Sequence, residues 1–343
     1  MAEVHRPLHA QTWKLAEPGR DRDRTLLPAV PGQAQNRNHR NPDHRNKRLE
    51  PTHQPGQNNH RMEIHKKKSE TNTQIHHHAV KVLAWIDAYD HTHDPRYLKM
   101  AETIFADMTQ GWDDTCGGGI WWSKDRKYKN AIANELFLSV AAHLARRTSR
   151  TARSQYLNWG NKEWSWFRAS GMINAQNLIN DGLGRKSGKT VGVGCSNNGR
   201  TTWSYNQGVV LGGLAELAAV DHDPSLLESA QQIATAAITL LVDKEGVLHD
   251  PCEPRCGADA VQFKGIFVRN LVLLEKTRSQ KTYISFVDTN ADAIWNHAQG
   301  PGFQLGLTWS GPFDSANAAS QSSALDAIVG AASLHNGPQE RLP

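Results

Sequence analysis

What the chain lacks excludes several classes of protein. No run approaches 18 consecutive apolar residues, so no transmembrane helix is expected. The opening stretch MAEVHRPLHAQTWKLAEPGRDRDR has no apolar h-region, so no secretory signal peptide is expected in the chain as written. The C-terminus, Asn336-Gly337-Pro338-Gln339-Glu340-Arg341-Leu342-Pro343, shows no hydrophobic tail of the GPI type. Cysteine is scarce. There are four in 343 residues, none before Cys116, and no CxxC or histidine partner supports a zinc site. The run His76-His77-His78 has no cysteine or carboxylate at ligand spacing. No metal site and no cofactor are therefore expected.

Charge is also unevenly spread. Residues 1–78 hold 14 Lys and Arg against 8 Asp and Glu, and 10 of the 17 histidines. The other 265 residues hold 25 basic and 26 acidic residues, so the net charge of +5 belongs to the first segment. A basic, His-rich stretch could touch nucleic acid. It lacks interleaved aromatics, with Trp13 its only one, and carries no fold signature of a nucleic-acid binder. No nucleic-acid partner is expected. Rich in Pro, Asn, Gln, Arg and His, residues 1–78 bury too little apolar surface to offset their ordering entropy, and they are expected to be a disordered tail. Residues 336–343 are expected to be a disordered C-terminus.

Residues 79–335 have helical grammar. In the stretch 129–148, Ile132, Leu136, Val140 and Leu144 recur every four residues, with Phe137 and Ala141 beside them. That spacing makes one wide apolar face. Val210, Leu214, Leu217 and Ala218 form a second stripe; Phe267, Leu271 and Leu274 form a third. A repeat is visible as well. His93-Asp94-Pro95 precedes Leu98, Ala101 and Ile104, and His222-Asp223-Pro224 precedes Leu227, Ala230 and Ile233. Aspartate as N-cap with proline behind it starts a helix, because the carboxylate accepts orphan N–H groups and proline has no N–H to orphan. The unit is helix, turn, helix, long loop, with four such pairs and a last helix near 315–335. Helix pairs that cannot bury their faces alone must stack, so an all-α toroid is expected, with its long loops gathered at one end to build a site.

Those loops hold the chemistry. The densest is Gly111-Trp112-Asp113-Asp114-Thr115-Cys116-Gly117-Gly118-Gly119-Ile120-Trp121-Trp122. Trp121 and Trp122 offer flat amphipathic faces that suit the apolar side of a pyranose. Lys129-Asn130 and Asn134-Glu135 are polar residues on an apolar inner helix, where buried groups need partners in the protein or in a substrate. Tyr205-Asn206-Gln207 opens the next inner helix, and Phe263-Lys264 the one after. Asp181-Gly182 ends a loop, where an aspartate is ordinarily a turn former. The four cysteines all lie in loops, the pattern of an oxidising compartment. Three pairings exist; Cys116–Cys195 with Cys252–Cys256 is preferred.

Four of these segments, taken in order, carry a resemblance. They are Trp112 to Trp122, Lys129-Asn130-Ala131-Ile132-Ala133-Asn134-Glu135-Leu136-Phe137, Trp203-Ser204-Tyr205-Asn206-Gln207-Gly208, and Cys252-Glu253-Pro254 with Phe263-Lys264-Gly265. Together they closely resemble glycoside hydrolase family 76, the endo-α-1,6-mannanases and their fungal cell-wall relatives, over about Val82 to Leu334. The resemblance implies an (α/α)6 toroid that is incomplete at its N-terminal end, nine helices standing against twelve. It implies retaining hydrolysis or transglycosylation of α-1,6-mannan by a monomer in an extracellular or cell-wall location. Substrate contacts would come from Trp121, Trp122, Asn130, Asn134, Asp181, Tyr205, Asn206, Gln207 and Lys264, with Asp181 of Asn180-Asp181-Gly182-Leu183 hydrogen-bonding the distorted sugar.

The resemblance also places two successive catalytic aspartates just ahead of an aromatic pair. Here those positions read His76-His77, and Val80-Lys81 stands where the aromatic pair would be. A retaining glycosidase needs two carboxyl groups roughly 5–5.5 Å apart. Imidazole transfers protons but is a poor nucleophile for an oxocarbenium-like centre. No catalytic pair is carried over, and Asp113-Asp114 is a weak substitute beside the tryptophans. The alternative function is a non-catalytic mannan-binding remnant of the family.

Overall fold

A computed structural model describes residues 75–185 and 195–335, with the side chains of residues 75–78 and 185 outside that description. The expected tails 1–78 and 336–343 lie outside the described residues, except that the first helix already begins at Ile75. The described residues belong to one compact unit, Lys66–Pro343.

Nine α-helices occur among the described residues: α1 (Ile75–Thr92), α2 (Pro95–Met108), α3 (Ala131–Arg147), α4 (Arg150–Ala169), α5 (Ser204–Asp221), α6 (Pro224–Leu240), α7 (Phe263–Thr277), α8 (Lys281–His297) and α9 (Ala318–His335). These are four hairpins and a closing helix. Both His-Asp-Pro connections form as the sequence implies. Asp94 accepts the N–H of Arg96, and Asp223 that of Ser225, each at 2.9 Å, with proline at the first helical position. The histidine has a part the sequence did not disclose. His93 (φ 56°) and His222 (φ 58°) turn left-handed and cap the preceding helix through N–H bonds to Tyr89 and Ala218. Each three-residue signal thus ends one helix and starts the next.

Helices α1, α3, α5, α7 and α9 line up as the inner wall, each packed on the next, while α2, α4, α6 and α8 cover them outside. Burial follows this division. Residues 131–142 of α3 are all buried, as are residues 204–218 of α5 apart from Tyr205. Such helices are buried on every side, and their polar residues, Asn134, Glu135, Asn206 and Gln207 among them, are buried with the apolar ones. The outer helix α6 buries only a stripe, Leu226, Ala230, Ile233, Ala234 and Ala237. The inner wall closes so tightly that a Cβ at Gly208 of α5 would fall 2.5 Å from Phe267 Cα of α7. This is the expected α/α toroid architecture. No helix among the described residues is long and apolar enough to cross a membrane.

The four long loops run from an outer helix to the next inner one, so they share one end of the toroid. Each folds back on itself at one bridged pair: Trp112 with Ile120, Ile173 with Ile179, Val242 with Leu248, Gln299 with Leu305. Each bridge is pinned by a helix amide. Asn134 accepts from Ile120 N–H (2.7 Å) and donates to its carbonyl (3.1 Å); Gln207 does the same to Ile179 (2.8 and 2.9 Å). Asn290 of α8 holds Leu248 N–H, and Gln321 holds Leu305 N–H, both at 2.9 Å. The second loop adds a short hairpin, β1 (Leu183–Arg185) against β2 (Cys195–Asn197). The disulfides are Cys116–Cys195, which ties this hairpin to the tryptophan loop, and Cys252–Cys256, as the preferred pairing has it.

Candidate functional site

The loop end is organised around two buried lysines. Lys129, just ahead of α3, is 2% exposed. Its ammonium donates to the Asp113 carboxylate at 2.8 Å and to the carbonyls of Asp113, Thr115, Gly118 and Gly119 at 3.2, 2.6, 2.7 and 2.9 Å. The Trp121 ring lies 4.9 Å away. One ammonium therefore gathers four carbonyls of a loop whose own backbone forms only a short 3-10 turn and one bridge. Asp113 completes the hub, its other carboxylate oxygen accepting the Trp121 indole N–H at 2.7 Å and an Arg126 N–H at 3.4 Å. Burial works to raise the Asp113 pKa, but Lys129 and Trp121 outweigh it and hold the carboxyl below the usual aspartate range. Lys264 repeats the device at the start of α7. It is 1% exposed, pairs with Glu253 at 2.7 Å, donates to Leu307 O at 2.8 Å and lies 4.6 Å from the Trp309 ring.

Beside the first hub stands Asp181. Its carbonyl accepts Ala131 N–H (2.9 Å) at the head of α3, and its carboxylate accepts the Tyr128 hydroxyl at 2.5 Å. That hydroxyl in turn accepts from the Asn198 amide at 2.9 Å. Burial and the hydrogen bond to Asp181 push the Tyr128 pKa up, so the phenol stays a donor. Gly182 is needed here, because a Cβ would come 2.6 Å from Tyr128 Oη and 2.7 Å from Asn130 Cα. Tyr205 stacks flat on Phe263 (centroids 3.8 Å apart, planes 9°), with Trp203 edge-on to Phe263 at 5.5 Å. Burial first, and then the charge of Asp181, raise the Tyr205 pKa, and Glu135 lies in the same electrostatic neighbourhood. Asp250 caps α5 by accepting Ser204 N–H (2.9 Å) and Oγ–H (2.6 Å).

The sequence-predicted residues divide into two sets. Asp181, Tyr205 and Trp122 are partly exposed at the loop end. Trp121 is 5% exposed, with its indole N–H committed to Asp113. Asn130 is the N-cap of α3, bonding Ala133 N–H at 3.3 Å, and Asn134 and Gln207 are the bridge clamps. Lys264 is the second hub. The Asp113 carboxylate is fully engaged, and its neighbour Asp114 is exposed. Asn206 and Glu135 are fully buried, and their side chains have no hydrogen-bond partner among the described residues. Burial, then the charge of Asp181, hold the Glu135 pKa well above the ordinary glutamate value. The side chains of His76 and His77 lie outside the described residues. Sequence reasoning passed over Tyr128, Asn198 and Asp250. Tyr128 could have been suspected as a tyrosine adjoining the Lys129-Asn130 motif, but nothing local marks Asn198 or Asp250.

Cavities of about 420 and 590 Å³ lie along α4, beside Trp159, and along α6, beside Gln232. None of their lining residues belongs to the loop-end cluster. Among the described residues no group of three His, Cys, Asp or Glu side chains could hold a metal.

An α/α toroid with carboxylates and stacked aromatic rings at its loop end is the architecture of the toroidal glycoside hydrolases. The model of glycosyl hydrolase family 76 matches residues 35–340, and the chain belongs to that family. The match takes in residues 35–78 of the segment assigned to the tail. The mannan endo-1,6-alpha-mannosidase DCW1 of Candida albicans is 30% identical over 234 residues, 62% of this chain and 49% of that protein. The chain spans about half the length of the curated relatives it matches. Among solved structures, Dfg5 from Chaetomium thermophilum in complex with glucosamine is 26% identical, with TM-score 0.59 over 69% of this chain and 60% of that one. An α-1,6-mannanase of Salegentibacter sp. HEL1_6, inactivated by replacing two successive aspartates with asparagine and bound to α-1,6-mannotriose, shares the fold. It has TM-score 0.68 at 22% identity and covers 76% of each chain.

Proposed function

We propose that this protein acts on α-1,6-mannan as a retaining glycoside hydrolase and binds the polymer across the loop end, at Asp181, Tyr205 and Trp122. The observation that carries the proposal is the line Asn198–Tyr128–Asp181 beside the stacked Tyr205 and Phe263. Tyr128 occupies one Asp181 oxygen and leaves the other to accept a sugar hydroxyl. The aromatic pair offers a face for the C–H side of a pyranose. Buried Lys129 and Lys264 set the loops that carry these groups. The protein works as a monomer in an extracellular or wall setting, which its two disulfides suit.

A second reading has its own support. Two successive histidines stand where the resemblance puts two aspartates, and Asp113, the nearest substitute, has its carboxylate fully engaged. On that reading the chain binds mannan without cleaving it. Incubation with linear α-1,6-mannan separates the two. New reducing ends support hydrolysis; retention on immobilised mannan without product supports the binding remnant; neither result refutes both.

A further inference from the structure

Two aromatic rings at the loop end serve neither the core nor the Asp181 cluster. Trp295, in the last turn of α8, is 47% exposed, and Phe303, in the loop that follows, is 68% exposed. Their ring centroids are 6.3 Å apart and their planes differ by 22°, so they form one ledge facing solvent. Phe303 holds φ at 60° behind Gly302 at 67°. A bulky side chain in the left-handed region is an outlier with an energetic cost. Here the strained backbone presents an apolar ring to water instead of burying it, which local packing does not reward.

The surroundings narrow what such a ledge takes. From residue 293 to residue 313 there is no Lys, Arg, Asp or Glu. The exposed polar side chains next to the rings in sequence are the amides of Asn296 and Gln304, the His297 imidazole and, one turn before Trp295, the Asp292 carboxylate. Gln304 is exposed, and the Gln321 amide donates to Phe303 O at 3.3 Å. The stretch from 293 to 313 therefore brings no lysine or arginine of its own to pair with a phosphate or nucleic acid. Two rings also fall far short of the ~800 Å² per partner of a stable protein interface. Flat rings bordered by amides, an imidazole and one carboxylate match a neutral polyol, whose C–H face stacks and whose hydroxyls donate to and accept from such groups. The loop Gln299–Asn317 lies at the same end of the toroid as the loop that leads to Lys129, because both run from an outer helix to an inner one.

We infer that Trp295 and Phe303 form a second saccharide contact, on a different loop from Asp181, which engages only mannan chains long enough to reach it. The inference rests on the mannan reading above. It is tested with the full chain and two ligands, α-1,6-mannotriose and long linear α-1,6-mannan, in the wild type and in Phe303→Gly and Trp295→Ala. Glycine suits the backbone angle at 303, so Phe303→Gly removes the ring without harming the fold, and its melting temperature is the control. The expected result is a fivefold to tenfold loss of affinity for the polymer in each variant, with mannotriose affinity unchanged within twofold. Unchanged polymer affinity in both variants overturns the inference, as does a parallel loss for mannotriose. A wild-type dimer in sedimentation that Phe303→Gly abolishes also overturns it, by making the ledge a contact between copies. A wild type that binds neither ligand removes the mannan reading itself, a failure distinct from the others.

Discussion

Replacing Glu135 by glutamine should make the protein more stable, and increasingly so as pH rises. The carboxyl is fully buried and has no hydrogen-bond partner among the described residues. Burial first, and the charge of Asp181 second, hold its pKa well above the ordinary value. The native state therefore keeps a proton that the unfolded chain, with a glutamate pKa of about 4.3, releases. Native protein binding more protons means that stability falls with rising pH. The contribution is full below about pH 4.3 and is lost at ~1.4 kcal/mol per pH unit until the folded pKa is passed. Glutamine keeps the shape and has no proton to hold. Glu163 is also buried with a raised pKa, for the same desolvation reason, and it adds its own slope to both proteins. The difference between them isolates Glu135. With a urea m-value of about 1.5–3 kcal/mol/M, the midpoint of Glu135→Gln should pull ahead by roughly 0.5–1 M per pH unit above pH 4.5. Urea unfolding followed by circular dichroism from pH 4 to pH 8 measures it. Parallel midpoint curves for the two proteins would refute the claim that this carboxyl is neutral in the fold.

Three further outcomes follow from the loop-end geometry. Lys129→Met strips the ammonium from Asp113 and four carbonyls and should cost about 3 kcal/mol, with Lys129→Arg failing to restore it; a loss under 1 kcal/mol in denaturant unfolding would contradict the hub. Tyr128→Phe removes the hydrogen bond that holds the Asp181 carboxylate and should cost about 1.5–3 kcal/mol of stability, the worth of one bond to a charged group; a loss under about 0.5 kcal/mol in denaturant unfolding would contradict that bond. Cys116→Ser with Cys195→Ser opens a link across 79 residues and should destabilise by about 4.5 kcal/mol on the loop-entropy model; an unchanged melting temperature after this double substitution would show that the tryptophan loop is held without it.

The helical frame was readable because its signals are local. Apolar spacing of four residues marks α3, and His-Asp-Pro marks two helix junctions through backbone chemistry that needs no tertiary context. The need of helix pairs to stack pointed to a toroid, with an open solenoid as the alternative that the long, aromatic, non-identical loops argue against, and the resemblance set the toroid as the six-pair kind. The polar residues of the inner helices were found but not sorted. Asn130, Asn134 and Gln207 look alike in sequence to residues that meet substrate, yet each is bonded to a loop bridge or helix end, because the path of the loop decides which amide it meets. Trp121 and Trp122 are adjacent and read identically, but the backbone turns one inward onto Asp113 and leaves the other partly exposed. Lys129 reads in sequence only as a polar residue, because its partners are mostly carbonyl oxygens, which have no sequence signature. Asn198 reaches Tyr128 across 70 positions, a separation that no motif encodes.

The central claim is that mannan lies across the loop end, and hydrogen–deuterium exchange with and without saturating α-1,6-mannotriose tests it most directly. The account predicts slowed exchange in residues 121–131, 180–184 and 196–206, which carry Trp122, Tyr128, Asp181, Asn198 and Tyr205, with the outer helices α4 and α6 unchanged. Protection confined to α4 or α6, or none anywhere at a concentration that saturates binding, would contradict it.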